Sequence, residues 1–195
     1  YSISSLIDEE IDEAYKLIQP SCCYGLTDIK QVRQPQITLE SGVTITSRVL
    51  SEVLGQCHEI AIFLVTIGQN LENRVARLMD GEQMLRATVL DAVGSEATEK
   101  TACYLEERVE ELATANSAQI TPRCSPGYWD WDITQQRVLL QAMDSCPLML
   151  TLTEECFMVP VKSVSGIIGL GQFEKQRGKH SPCSSCPKMD CQSRR

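Results

Sequence analysis

With 195 residues and a formal net charge of −8, the chain is long enough for one ordinary domain and too acidic to favour nucleic acid or an anionic membrane surface. No apolar run approaches the roughly 20 residues that a membrane-spanning helix needs. The 10 cysteines are many, but seven are scattered through apolar or helical stretches (Cys22, Cys23, Cys57, Cys103, Cys124, Cys146 and Cys156). Free thiols of a reducing compartment are used that way, and the N-terminal residues lack the basic, apolar, small-residue order of a secretion signal, so the expectation is a cytoplasmic chain with mostly free thiols.

Residues 3–19 place Ile3, Leu6, Ile7, Ile11, Ala14, Tyr15 and Ile18 at helical spacing, with acidic residues on much of the other face and Pro20 after the end. A short strand is predicted over 36–41 and a helix over 46–56. The longest apolar run, Ile60-Ala61-Ile62-Phe63-Leu64-Val65, predicts a buried strand over 60–67, and 70–79 reads as a helix before the Asp80-Gly81 break. The longest helical pattern runs from about 82 to 114. On it Leu85, Val89, Ala92 and Cys103 fall on one narrow arc that looks core-facing, and Glu96 and Glu99 interrupt that arc. Buried carboxylates are costly unless paired. Either this part of the stripe leaves the core, or it passes under a cavity that holds a cation.

A strand over 118–121 leads into Arg123-Cys124-Ser125-Pro126-Gly127-Tyr128. Pro126 fixes its own φ and biases Ser125 towards extended backbone, while Gly127 allows a turn closed to other residues. Arg123 offers a planar fork of donors that matches a carboxylate, and Tyr128 a flat face with a polar tip. Such a loop suits a small zwitterion with an aromatic group. Asp132 or Thr134 can cap a helix reaching Met143. Three further strands are expected, over 148–153, 157–161 and 164–170. Gly166, Gly169 and Gly171 mark the last for bulges or close backbone contact. The irregular mixture of strands and helices, with no βαβ rhythm, predicts an α+β fold. The expected layout is a single domain over 1–174, with a mixed or antiparallel sheet and flanking helices that include one long one, and a Cys-rich tail over 175–195.

No hydrolase set is present. His58 and His180 lie in no His-Glu-x-x-His pattern, and there is no Gly-x-Ser-x-Gly elbow. Gly166-Ile-Ile-Gly169-Leu-Gly171 lacks the spacing of a dinucleotide loop. The tail carries Cys183, Cys186 and Cys191 as Cys-x2-Cys-x4-Cys, a spacing at which thiolates converge on zinc or an iron–sulfur cluster. Cys22, Cys23, Cys124 or His180 could supply a fourth ligand.

Four segments in order resemble the activation domain of cobalamin-dependent methionine synthase. They are Tyr104-Leu-Glu-Glu-Arg108-Val109 with Glu99 upstream, Arg123-x-Ser-Pro-Gly-Tyr128, Leu152-Thr-Glu-Glu-Cys-Phe-Met158-x-Pro160 and Ser163-Val-Ser-Gly166. The likeness covers about residues 82–170. The N-terminal part resembles that family only loosely, and the Cys-rich tail stands where the fused enzyme has an aromatic segment. The resemblance implies a stand-alone protein that binds S-adenosylmethionine in a shallow groove. It presents the methyl to a cobalamin on a partner methyltransferase domain, which an electron donor and that methyl restore from the inactive cob(II) state. It further implies that Arg123 holds the ligand carboxylate and that Glu99 meets its ammonium. The main chain at Ser125 would meet the adenine side, with Gly127 and Tyr128 lining the site. Two other readings stand beside it: a redox accessory protein passing electrons to a corrinoid protein through the tail site, and a binding module that sequesters such a protein's cap. Removing the chain from Ser181 onward should abolish any zinc or iron content while leaving the melting transition nearly unchanged; elemental analysis with equal metal before and after would end the tail-site reading.

Overall fold

A computed structural model of the chain describes residues 2–173. Its elements run α1 (Ile3–Leu17), β1 (Ser21–Arg33), β2 (Gln36–Leu39), β3 (Thr44–Thr46), α2 (Arg48–Val53), β4 (Cys57–Thr66), α3 (Asn70–Asp80), α4 (Met84–Ala115) and β5 (Gln119–Ile120). A 3-10 turn (Ile133–Gln135) then leads into α5 (Gln136–Ala142), β6 (Thr151–Leu152), β7 (Met158–Val159) and β8 (Ser163–Gly171). The fold is α+β, as the sequence predicts. Its main sheet has the order β3-β2-β1-β4-β8-β5, and β6 and β7 form a separate two-stranded ladder. The pairs β1–β2, β2–β3 and β5–β8 are antiparallel.

The chain divides into two compact units. The first comprises Tyr1–Cys23, Leu64–Leu105 and Pro147–Val164; the second comprises Tyr24–Phe63, Glu106–Cys146 and the described part of Ser165–Arg195.

In the first unit, α1 starts where the Ser2 hydroxyl accepts from the Ser5 N–H, which satisfies one of the open donors of its first turn. Ala14, Ile67, Leu71, Val75, Leu78, Ala87 and Leu90 form its core. An ion network crosses that core's edge. Arg86 pairs with Glu9 and, at 2.9 Å, with Glu10, whose side chain is buried. The Lys162 ammonium meets Asp91 at 2.8 Å and donates to Ser95 Oγ, and the Val161 N–H donates to Glu72. These bonds tie the segment after β7 to α3 and α4.

In the second unit, the residues Ile60, Ala61, Ile62 and Phe63 of β4 are all buried, as the apolar run predicts. The strand β1 went unread in the sequence. Its inward positions are only half-buried, and its alternation changes phase where Lys30 and Gln31 are both exposed. That change coincides with the register irregularity between Ile29 and Gln31, since one extra residue flips the faces that follow. The helix expected over 46–56 is shorter: β3 takes Thr44–Thr46, and Ser47 caps α2 by accepting from the Leu50 N–H at 3.0 Å. Asp132, not Thr134, caps the 3-10 turn. The strands expected over 148–153 and 157–161 shrink to the two-residue β6 and β7.

The long helix corrects one reading. Its buried face is Ala87, Leu90, Gly94, Thr98, Ala102, Leu105, Val109 and Ala113, which recur every three or four residues. The stripe of Leu85, Val89, Ala92, Glu96, Glu99 and Cys103 is mostly exposed, with Leu85 54% accessible. The stripe leaves the core. Small residues line the packed face because they let neighbours approach, so hydrophobicity alone points to the wrong side.

Close approach at β8 is as the glycines predict. A Cβ at Gly166 would meet the Cys124 carbonyl oxygen and stand 2.8 Å from the Phe63 ring. Gly166→Ala should therefore cost about 1–3 kcal/mol, the usual range for overpacking, read as a lower urea midpoint.

Candidate functional site: the 122–135 loop of the second unit

The loop after β5 is fixed to the sheet before it reaches its first site residue. Cys124 donates to the Ile167 carbonyl at 2.9 Å and accepts from the Ile167 N–H at 2.8 Å, an antiparallel bridge to β8. Arg123 is consequently held beside α4, where its Nε donates to Glu106 Oε2 at 2.7 Å. Both side chains are largely buried, 18% and 29% exposed, which strengthens their attraction relative to a solvated pair.

The Ser125-Pro126-Gly127-Tyr128 segment is a type II turn. The Tyr128 N–H donates to the Ser125 carbonyl at 3.2 Å, proline stands second, and Gly127 stands third with φ +93°. The position needs glycine for its backbone, not for space: among the described residues a Cβ there would meet nothing closer than Ile133 Cδ1 at 3.5 Å. The turn is then locked from behind. The Gly127 N–H donates to the Trp131 carbonyl at 2.7 Å, and the Trp131 N–H donates to the Tyr128 carbonyl at 2.9 Å. Trp131 is buried, Trp129 sits at φ +53°, and the Tyr128 side chain is 59% exposed.

Asp130 lies outside every sequence expectation. Partial burial pushes its carboxyl up, but hydrogen bonds from the Ser47 hydroxyl and from the N–H groups of Arg48 and Val49 outweigh that and hold its pKa below the ordinary carboxylate value. Nothing local to Asp130 signals this, because its partners are 81 to 83 residues away. Glu106 is the other residue missed, although it belongs to the quoted motif around Tyr104.

Of the expected site residues, Arg123, Ser125, Gly127 and Tyr128 share this loop. Glu99 is on α4 in the first unit, on its exposed face, with the Cys103 thiol 3.9 Å from its Oε1. Cys183, Cys186 and Cys191 lie outside the described residues, as does the 175–195 tail. Among the described residues no group of three His, Cys, Asp or Glu side chains could hold a metal ion. Cys22, Cys57, Cys103, Cys124 and Cys156 are free thiols, whereas Cys23 and Cys146 are disulfide-bonded, two exceptions to the expected free thiols. Among the described residues no helix is long and apolar enough to cross a membrane.

The α+β architecture, with its antiparallel sheet and one long helix, is consistent with the fold of the MetH reactivation domain. The chain is similar to a crystal structure of the MetH reactivation domain bound to AdoHcy, with a TM-score of 0.65 and 19% sequence identity over 85% of this chain. It spans 64% of the length of that chain. No protein-family model matches the sequence. No curated protein matches it either.

One thiol in the loop and one on β4 give a direct check of its packing. Burial pushes the Cys57 thiol up to about 11; burial, then Cys57 and Glu106 nearby, push Cys124 up to about 12. Both should resist iodoacetamide at pH 8 in the folded chain and react once it is unfolded. Because the folded state holds these protons more tightly, the stability they contribute is complete below about pH 9. It should be lost as pH rises through 11 and 12, visible as a falling melting temperature.

Proposed function

We propose that the chain is a reactivation protein for a corrinoid-dependent methyltransferase of the methionine synthase type. It binds S-adenosylmethionine at the 123–128 loop and offers the methyl group to a corrinoid carried by that partner. The observation that carries the reading is a largely buried arginine leading straight into a type II Ser-Pro-Gly-Tyr turn, on the fold of a domain whose structure contains AdoHcy. AdoHcy is the demethylated form of S-adenosylmethionine.

The ligand's chemistry fits these groups. Its carboxylate matches the guanidinium of Arg123, whose plane the Glu106 contact at Nε orients. Tyr128 offers an exposed ring against the adenosyl part, and the Ser125 main chain offers hydrogen-bonding groups to the base. A sulfonium is already a good leaving group, so no side chain need act as acid or base, and the chain's contribution is to orient the methyl. When the partner is bound, its corrinoid would supply the metal that takes the methyl, the C–S bonding pair leaving with AdoHcy and an external electron donor supplying the electron that a cob(II) centre lacks.

Arg123→Ala should weaken S-adenosylmethionine binding by about ten- to a hundredfold in calorimetry, since hydrogen bonds to a charged group contribute roughly 1.5–3 kcal/mol. Arg123→Lys should recover part of the loss, because it keeps the charge without the fork. Gly127→Val should disable the site with no change of charge. Parent-like affinity in Arg123→Ala, with the variant still folded by circular dichroism, would show that the ligand is not held here.

A further inference from the structure

Asp130 and Gln135 have no part in the ligand contacts proposed above, yet both reach the same four residues, 46–49, where β3 passes into α2. Asp130 Oδ1 accepts from Ser47 Oγ at 2.6 Å and from the Val49 N–H at 3.3 Å, and Oδ2 accepts from the Arg48 N–H at 2.8 Å. Gln135 accepts from the Thr46 N–H and donates to the Thr46 carbonyl, both at 2.7 Å. Its amide thus continues the ladder of β3 as a strand residue would.

A cap for α2 accounts for only part of this. Ser47 already supplies the capping oxygen to the Leu50 N–H. The carboxylate takes the open N–H groups of Arg48 and Val49, but it also holds the Ser47 hydroxyl, and Gln135 holds both backbone groups of Thr46 ahead of the helix, which no cap requires. The bonds also transmit position. Trp131, next in sequence, is 1% exposed and shares hydrogen bonds with both Gly127 and Tyr128. Trp129, on the other side, holds a positive φ of 53° that a bulky side chain adopts only when its surroundings force it.

We propose that Asp130, backed by Gln135, is a positioning residue for the S-adenosylmethionine loop: its clamp on the β3–α2 junction holds the turn at 125–128, and with it Arg123 and Tyr128, in the geometry that receives the ligand. This rests on the ligand reading above. The clamp fixes where the turn sits and touches no ligand atom itself.

The chain's 2 tryptophans, Trp129 and Trp131, flank Asp130, so tryptophan emission, excited selectively over the 5 tyrosines, reports this loop in the full chain. The experiment compares parent, Asp130→Ala, Asp130→Asn, Ser47→Ala and Gln135→Ala. It measures tryptophan emission, acrylamide quenching, S-adenosylmethionine affinity by calorimetry, and melting temperature. Asp130→Ala should shift emission to the red, raise quenching and weaken binding by about tenfold at temperatures where the chain is fully folded. Asp130→Asn should recover part of each change, because an amide supplies an acceptor on one side but turns its NH2 towards a donor on the other. Should Asp130→Ala fail to fold, Ser47→Ala and Gln135→Ala, each removing only part of the clamp, should move emission and affinity in the same direction by less. A variant with a lower melting temperature but parent emission and parent affinity would make Asp130 a helix cap only and overturn the proposal. A parent chain without affinity for S-adenosylmethionine would instead remove the ligand reading, and the emission and quenching arms would still decide whether Asp130 holds the loop.

Discussion

Two hydrogen bonds between Cys124 and Ile167 are the constraint on which the site region depends. They add the start of a loop to β8 as a strand would be added, and so convert the sheet's geometry into the loop's. That bridge is possible only because Gly166 has no side chain: any Cβ would strike the Cys124 carbonyl and the Phe63 ring. A backbone contact of this kind is stiffer than a side-chain contact, having no rotamers to vary. Arg123 and Ser125, on either side of Cys124, inherit its position.

The electrostatics of the loop follow from that placement. Arg123 is brought beside Glu106, and partial withdrawal from water makes the pair worth more than an exposed one while leaving each partner costly to strip away. Glu106 therefore acts on the guanidinium at Nε, and it also lies close enough to Cys124 to raise its thiol pKa. A ligand carboxylate arriving at Arg123 meets a guanidinium whose orientation is already set, so less rotamer freedom is lost on binding.

The first unit uses a different device. Its core is made by aliphatic side chains from α1, α3 and α4 together with Ile67 after β4, and its periphery by cross-linking charges. Glu10 is buried and reaches Arg86 through one oxygen, while the other finds no hydrogen-bond partner among the described residues. Burying a carboxylate this deeply is tolerable only with a guanidinium against it. The Lys162 and Glu72 contacts serve the segment that follows β7, which is too short of regular structure to fix itself.

How much of this was legible in the sequence depends on the range of the interaction. Helix α3, strand β4 and the extent of α4 were readable because periodicity, apolar runs and breakers are local properties of the chain. The turn at 125–128 was readable for the same reason: proline fixes its own φ, and the glycine after it permits the positive φ that other residues avoid. The strand β1 was not, because a half-buried, bulged strand has no clean alternation. The packed face of α4 was misread, because Ala87, Gly94, Thr98 and Ala102 are buried for closeness and carry little hydrophobic signal. The partnership of Arg123 with Glu106, and above all the clamp of Asp130 on Ser47 and Arg48, join residues 17 and more than 80 positions apart. The sequence by itself determined which residues could turn, cap or carry charge. Only the tertiary structure decided which of those charges meet, because that is set by how the strands are ordered in the sheet.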